Sequence, residues 1–124
     1  MYQIKNTKEF GRGLYAHNDI KKGTIIMQCE LLVLSQDDTK KVNETDLKYY
    51  VFKYNENQDC IVLGDAEIFN HSDFANVSYE LVDYDGRKLM IYTATSDISR
   101  TAQLFINYSQ DVTVNVTQYA VNLV

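Results

Sequence analysis

The chain has 124 residues, 45% of them hydrophobic, with a formal net charge of −5 and a pI near 4.9. That length fits one domain able to bury roughly two-thirds of its unfolded surface, and no stretch approaches the roughly 20 apolar residues of a membrane span. The acidic balance counts against nucleic-acid binding, which needs a clustered basic face, and favours cationic partners such as a lysine-bearing protein.

The first residues, Met1 to Lys8, alternate polar and apolar and lack the apolar core of a signal peptide. A cytoplasmic or host-intracellular protein is therefore expected, with Cys29 and Cys60 as free thiols in a reducing compartment. Two isolated cysteines and two histidines, His17 and His71, have no ligand spacing, so no metal site is expected.

In chain order, Tyr2 to Lys5 reads as an edge strand. Gly11-Arg12-Gly13 reads as a backbone-permissive turn, and Leu14-Tyr15-Ala16 resumes a strand. Lys21-Lys22-Gly23 is a second turn before a long β-type run, Thr24 to Leu34. Gln36 to Glu44 is polar and charged and reads as a loop. Leu47, Tyr50, Val51 and Tyr54 recur at i, i+3, i+4 and i+7, which predicts a short amphipathic helix from Thr45 to Tyr54, with Asp46 at its N-terminal end.

Asn55 to Asp59 is a loop, Cys60 to Leu63 a short buried strand and Asp65 to Phe69 a single helical turn. Val77 to Tyr84 and Lys88 to Thr93 flank Asp85-Gly86, the strongest short-range hairpin signal in the chain. Leu104 to Tyr108 is a further strand, and Val112 to Val116 alternates as a half-exposed strand should. The result is a mostly β domain with one or two short helices, spanning residues 1–124 without a linker or repeat.

The polar triplet Asn70-His71-Ser72 follows an apolar run directly, and Asn76 stands close behind. Such groups are costly to bury unless satisfied, so they are held for a purpose. By themselves they fit either a buried polar knot or a fragment of a hydrolase site, although no Gly-x-Ser-x-Gly elbow is present. Gly11-Arg12-Gly13 lacks the third glycine and following helix of a dinucleotide fingerprint. Tyr49-Tyr50, with Phe52 and Tyr54, fits either a core face or the aromatic wall of a channel around an aliphatic or cationic side chain.

Taken in order, Gly11 to Ala16, Asp19 to Ile26, Ile68 to Ser72 with Asn76, and Ile98 through Leu104-Phe105-Ile106-Asn107-Tyr108 resemble the SET-domain family of protein-lysine methyltransferases. The Asn-His-Ser run with an asparagine four residues after the serine is the specific element, and the matches span residues 11 to 108. The compact length is similar to that of a small viral member of the family. The resemblance implies a SET-domain fold of small curved β-sheets, short helices and a C-terminal pseudoknot, an exception to the rule that chains are unthreaded. It also implies S-adenosyl-L-methionine on one face and a lysine of a protein or peptide substrate entering a channel from the other.

Carried over by motif, Arg12, Gly13 and Leu14 would offer backbone groups to the cofactor, Asn70 would contact its amino-acid part, and the His71 backbone would meet its adenine. Tyr108 would be the catalytic tyrosine where cofactor and channel join, and Tyr50 a second active-site tyrosine.

Methyl transfer needs alignment and an amine lone pair more than a strong acid or base. A lysine of ordinary pKa near 10.4 must first lose its proton, which burial beside a sulfonium favours. Tyrosine hydroxyls and carbonyls then orient the amine and accept weak C–H···O contacts from the methyl.

Departures from the family pattern fall at three places. The usual Gly-Glu-Glu before the last strand is Arg100-Thr101-Ala102-Gln103, the proline before the second asparagine is Ala75, and Tyr108 is followed by Ser109-Gln110-Asp111-Val112, with no aromatic where many relatives place one. The tail 112–124 is expected to close the channel, with Tyr119 as a partner, or to pair with a second subunit in a homodimer. The alternative function is a catalytically weak SET-like module binding a basic peptide. Lack of flanking targeting domains is consistent with a viral or bacterial protein acting on a histone, host factor or viral structural protein.

Overall fold

The computed structural model describes residues 1–9 and 11–110, together with the backbone of Val114 and Asn115. Strands β1 (Tyr2–Thr7) and β2 (Gly11–Ala16) form an antiparallel pair, with Tyr2 opposite Ala16 and Thr7 opposite Gly11. Gly11-Arg12-Gly13 is therefore not the turn expected from its glycines but the first half of β2. The pairing of Lys5 with Gly13 and Asn6 with Arg12 outweighs the turn propensity.

The other strands are β3 (Ile25–Val33), β4 (Val51–Lys53), β5 (Asp59–Val62), β6 (Asn70–His71), β7 (Val77–Tyr84), β8 (Arg87–Ala94), β9 (Gln103–Ile106) and β10 (Val114–Asn115). They make a four-stranded sheet of order β1-β2-β9-β6 and a six-stranded sheet of order β10-β7-β8-β3-β5-β4. Asp85 and Gly86 both take positive φ, 50° and 76°, as a type I′ turn requires, and close the β7–β8 hairpin as expected.

Alternation along β8 divides the interior. Met90 and Tyr92 enter the main core with Leu14, Phe69, Tyr79, Leu104 and Ile106, while Leu89 and Ile91 pack with Val82 on the other face. Each such fully buried side chain contributes about 1.5–3 kcal/mol over an exposed one.

Two local expectations fail for identifiable reasons. Gln36–Asn43 is an α-helix, α1, with no buried residue. It is built from polar contacts: the Ser35 Oγ accepts the Asp38 N–H at 3.0 Å, and Lys41 pairs with Asp37 at 3.3 Å. Asn43 Nδ2 donates to Asp59 Oδ2 at 2.8 Å, and Thr39 Oγ1 accepts the Asp59 N–H, which docks the helix on β5. Conversely, the predicted helix 45–54 is only a 3₁₀ segment, Asp46–Tyr50, after which β4 pairs with β5. The β-branched and aromatic residues Val51 and Phe52 find partners in Ile61 and Cys60, so their helical spacing does not decide their conformation.

β9 runs antiparallel to β2, with Leu14 opposite Leu104, and parallel to β6, with Asn70 opposite Phe105 and His71 opposite Ile106. Both ends of the Asn76 side chain lock this crossing: Nδ2 donates to Gln103 O at 2.9 Å, and Oδ1 accepts the Phe105 N–H at 2.8 Å. The Ser72 N–H adds a bond to Ile106 O at 3.0 Å. This is the crossing that the expected pseudoknot requires. The turn before β9 forms without the family's glycine: Thr101 holds φ at 75°, its N–H bonded to Ala16 O at 2.9 Å, while Asp19 accepts the Arg100 N–H.

Of the tail, Val114 and Asn115 pair in parallel with Leu81 and Val82 of β7. The rest of 112–124, Tyr119 included, lies outside the described residues. Among the described residues no helix is long and apolar enough to cross a membrane.

Candidate active site

Two adjoining regions gather the residues singled out by sequence. The first is a polar ledge where β2, β6 and β9 meet. Asn70 Nδ2 donates to Arg12 O at 2.9 Å and to Gln103 Oε1 at 3.0 Å. Gly13 is the point of closest approach: a Cβ there would stand 2.7 Å from Gln103 Oε1 and 3.0 Å from Asn70 Nδ2. Arg12 is exposed, Asn70 is half-buried, and its Oδ1 has no hydrogen-bond partner among the described residues. Leu14 is fully buried between β1 and β9, so only its backbone could meet a ligand.

The second region is a cavity of about 310 Å³ whose walls include Tyr50, Phe52, Glu67, Phe69, Tyr79 and Tyr108. A chain of rings runs from its wall into the core. Phe52 meets Tyr79 edge-on at 6.2 Å, Tyr79 lies 5.7 Å from Tyr92, and Tyr92 stacks on Phe69 at 4.9 Å. Such pairs add about 0.5–1.5 kcal/mol each beyond area burial and hold the wall rigid.

Tyr108 joins the two regions. Its hydroxyl donates to Phe69 O at 2.7 Å on the cavity side, while its backbone N–H donates to His71 Nδ1 at 3.0 Å on the other. The His71 ring lies 5.1 Å from the Tyr108 ring, and its Nε2 is 3.0 Å from Asp73 Oδ1. Burial and then the negative charge of Glu67 raise the Tyr108 hydroxyl above the ordinary tyrosine range. The hydroxyl is therefore a neutral donor at neutral pH. Tyr50 closes the 3₁₀ segment Asp46–Tyr50 and lines the same cavity as Tyr108, so the structure unites the two expected catalytic tyrosines.

Sequence reasoning missed Glu67. It sits in the 3₁₀ turn Asp65–Ile68, which enters from Gly64 at φ 130°, a conformation that glycine alone adopts readily. Tyr2 fastens the turn by donating its hydroxyl to Asp65 Oδ2 at 2.8 Å, and burial with that bond pushes the tyrosine up to about 12. Burial likewise raises Glu67 to about 7. A lone charge inside Ala66-Glu67-Ile68-Phe69 was the available signal. Cys29 and Cys60 are buried free thiols, pushed up to about 11 chiefly by burial.

Residues 11–109 match the SET domain, and the chain belongs to that family of protein-lysine methyltransferases, which use S-adenosylmethionine. A histone-lysine N-methyltransferase specific for H3 lysine-37, from Schizosaccharomyces pombe, is 28% identical over 108 residues, covering 86% of this chain and 71% of that protein. The fold is similar to that of a candidate histone methyltransferase of Plasmodium falciparum, with TM-score 0.71, 24% identity and coverage of 89% of this chain and 94% of that one. It is also similar to a chain of the Chaetomium thermophilum polycomb repressive complex 2 in an autoinhibited conformation bound to S-adenosylmethionine, with TM-score 0.70 and 21% identity over 85% of this chain and 14% of that one. These relatives are eukaryotic and lend no support to a viral or bacterial source.

The ledge fits that cofactor. The Asn70 Oδ1, an acceptor without a partner among the described residues, suits an ammonium group, and strand backbone beside a residue without Cβ suits close approach.

Proposed function

We propose that the protein transfers a methyl group to a lysine ε-amine presented through the aromatic cavity, and that a histone tail is the substrate class to test first, as the name of the fission-yeast relative indicates. The observation that carries this reading is the double anchoring of Tyr108, whose hydroxyl belongs to the cavity and whose backbone belongs to the ledge. In this reading Arg12, Gly13 and Leu14 present backbone to the cofactor, Asn70 receives its amino-acid part, and the His71 backbone meets its adenine. S-adenosylmethionine supplies the methyl, carried on a sulfonium.

The chain's own residues then do three things. The aromatic walls strip water from the lysine stem, which disfavours the ammonium and exposes the amine lone pair. The Tyr108 and Tyr50 hydroxyls orient that amine along the line of displacement. The cavity walls exclude water that would otherwise solvate the reacting groups.

Support for turnover over a bare peptide-binding module comes from the β9 turn. Its altered sequence, Arg100 to Gln103, still delivers Tyr108 to the junction. The test is incubation with isotope-labelled S-adenosylmethionine and histone H3 or other lysine-bearing proteins, beside Tyr108→Phe. Label should enter the protein substrate, and the variant should lose transfer by about 10- to 1,000-fold. Absence of cofactor binding and of transfer to any protein would overturn the enzyme reading.

A further inference from the structure

Among the described residues Glu67 is the one acid that lines the aromatic cavity, and three observations set it apart from an ordinary surface glutamate. It lines the cavity together with Tyr50 and Tyr108. Its Oε1 is buried and has no hydrogen-bond partner among the described residues. Among the described residues no lysine, arginine or histidine lies within salt-bridge distance of its carboxylate. Oε1 is closed off from the open space, so the carboxylate meets a ligand through Oε2, the oxygen that keeps accessible surface, and a cation there offsets part of the cost of holding the charge. An aromatic cavity with one unpaired carboxylate is complementary to an alkylammonium, the stem lying on the rings and the charge meeting the acid.

We infer that Glu67 is the residue by which the channel recognises the charged ε-ammonium of the incoming lysine. This deepens the lysine-transfer reading and rests on it. Apolar side chains of equal length would gain the ring contacts but leave the carboxylate unpaired, and a neutral donor would meet it without the charge, so Glu67 sets specificity for lysine before the amine loses its proton.

The surrounding groups make the role pH-dependent through Glu67. From β3 and β5 the thiols of Cys29 and Cys60 face it, both held neutral by burial. From β8 and the segment after β9 come the Tyr92 and Tyr108 hydroxyls, both raised and so neutral. The Tyr92 hydroxyl is itself buried without a partner among the described residues. Tyr79 of β7 with Tyr49 and Tyr50 complete the hydroxyls, and Lys53 of β4 lines the cavity without an ion pair to the acid. Burial places the Glu67 transition near pH 7, so its charge is lost as pH falls through that value.

The probe is n-butylamine, the lysine side chain alone, against 1-butanol, which has the same length and no charge. Binding to the full chain is followed by the amide shifts of cavity residues at about pH 8 and about pH 6. The wild type should prefer butylammonium about tenfold at the higher pH, with the preference shrinking at the lower. Glu67→Gln should bind both probes alike at both values, and Glu67→Asp should keep part of the preference. Unchanged 1-butanol binding by Glu67→Gln shows the cavity intact. A preference that survives Glu67→Gln, or a wild type that binds the alcohol equally well, overturns the inference. A wild type that shows the Glu67-dependent preference yet transfers no methyl supports the recognition role and overturns the transfer reading alone.

Discussion

The His71 ring accepts the backbone N–H of Tyr108 at Nδ1, 3.0 Å away, and so ties the Asn-His-Ser segment to the tyrosine of the following crossing. Because a backbone N–H can only donate, Nδ1 must carry the lone pair, and the ring proton sits on Nε2, donating to Asp73 Oδ1 at 3.0 Å. The His71 side chain thus has a role besides the backbone contact expected of this residue. Nitrogen NMR should find His71 protonated at Nε2 only. His71→Phe keeps a ring beside Tyr108 but deletes the acceptor, and should lower methyl transfer about tenfold with roughly 1 kcal/mol of stability lost, read by turnover and thermal melting. Transfer equal to wild type would show that Tyr108 needs no such tether.

Gly13 can be tested by adding a single methyl group. In Gly13→Ala the new Cβ would stand 2.7 Å from Gln103 Oε1, so the flexible Gln103 amide must move and its bond from Asn70 is lost. The fold should survive with a cost of about 1 kcal/mol, while affinity for S-adenosylmethionine falls about tenfold by calorimetry. Unaltered affinity would separate the ledge from the cofactor.

Thr101 holds a left-handed φ of 75° that a β-branched residue adopts at a cost of order 1–3 kcal/mol. Thr101→Gly relieves that strain while adding chain entropy to the unfolded state. The net gain should be about 1 kcal/mol, seen as a melting temperature higher by about 4 °C. A lower melting temperature would show that the Thr101 side chain contributes more than its backbone costs.

Glu67 predicts an unusual pH dependence of stability. Its carboxyl is raised by burial from the ordinary 4.5 to about 7, so the folded state binds the proton more tightly than the unfolded state does. Stability therefore falls as pH rises from about 4.5 to about 7 and levels off above. Glu67→Gln should remove this slope and be more stable than wild type near pH 8, by on the order of 1–2 kcal/mol after allowing for partial exposure. Denaturant midpoints at about pH 5 and about pH 8 give the slope directly, and parallel curves for the two proteins would contradict the burial of this acid.

What the amino-acid sequence determined by itself was whatever short-range chemistry enforces. The Asp85-Gly86 turn, the strand runs on either side of it and the Asn70-His71-Ser72 run with Tyr108 were all readable, because turn geometry and motif spacing act over a few residues. The α1 helix was also written locally, in Ser35, in Asp37 with Asp38, and in Lys40 with Lys41, but as capping and charge rather than as apolar periodicity. Tertiary structure decided the rest. Gly11-Arg12-Gly13 became a strand because β1 lies beside it, and Val51-Phe52 left the helical pattern because β5 offered a ladder. The meeting of Glu67 with Tyr50 and Tyr108 depends on the crossing of β9 between β2 and β6. These residues lie far apart in sequence, and only burial of the shared core sets the distances between them.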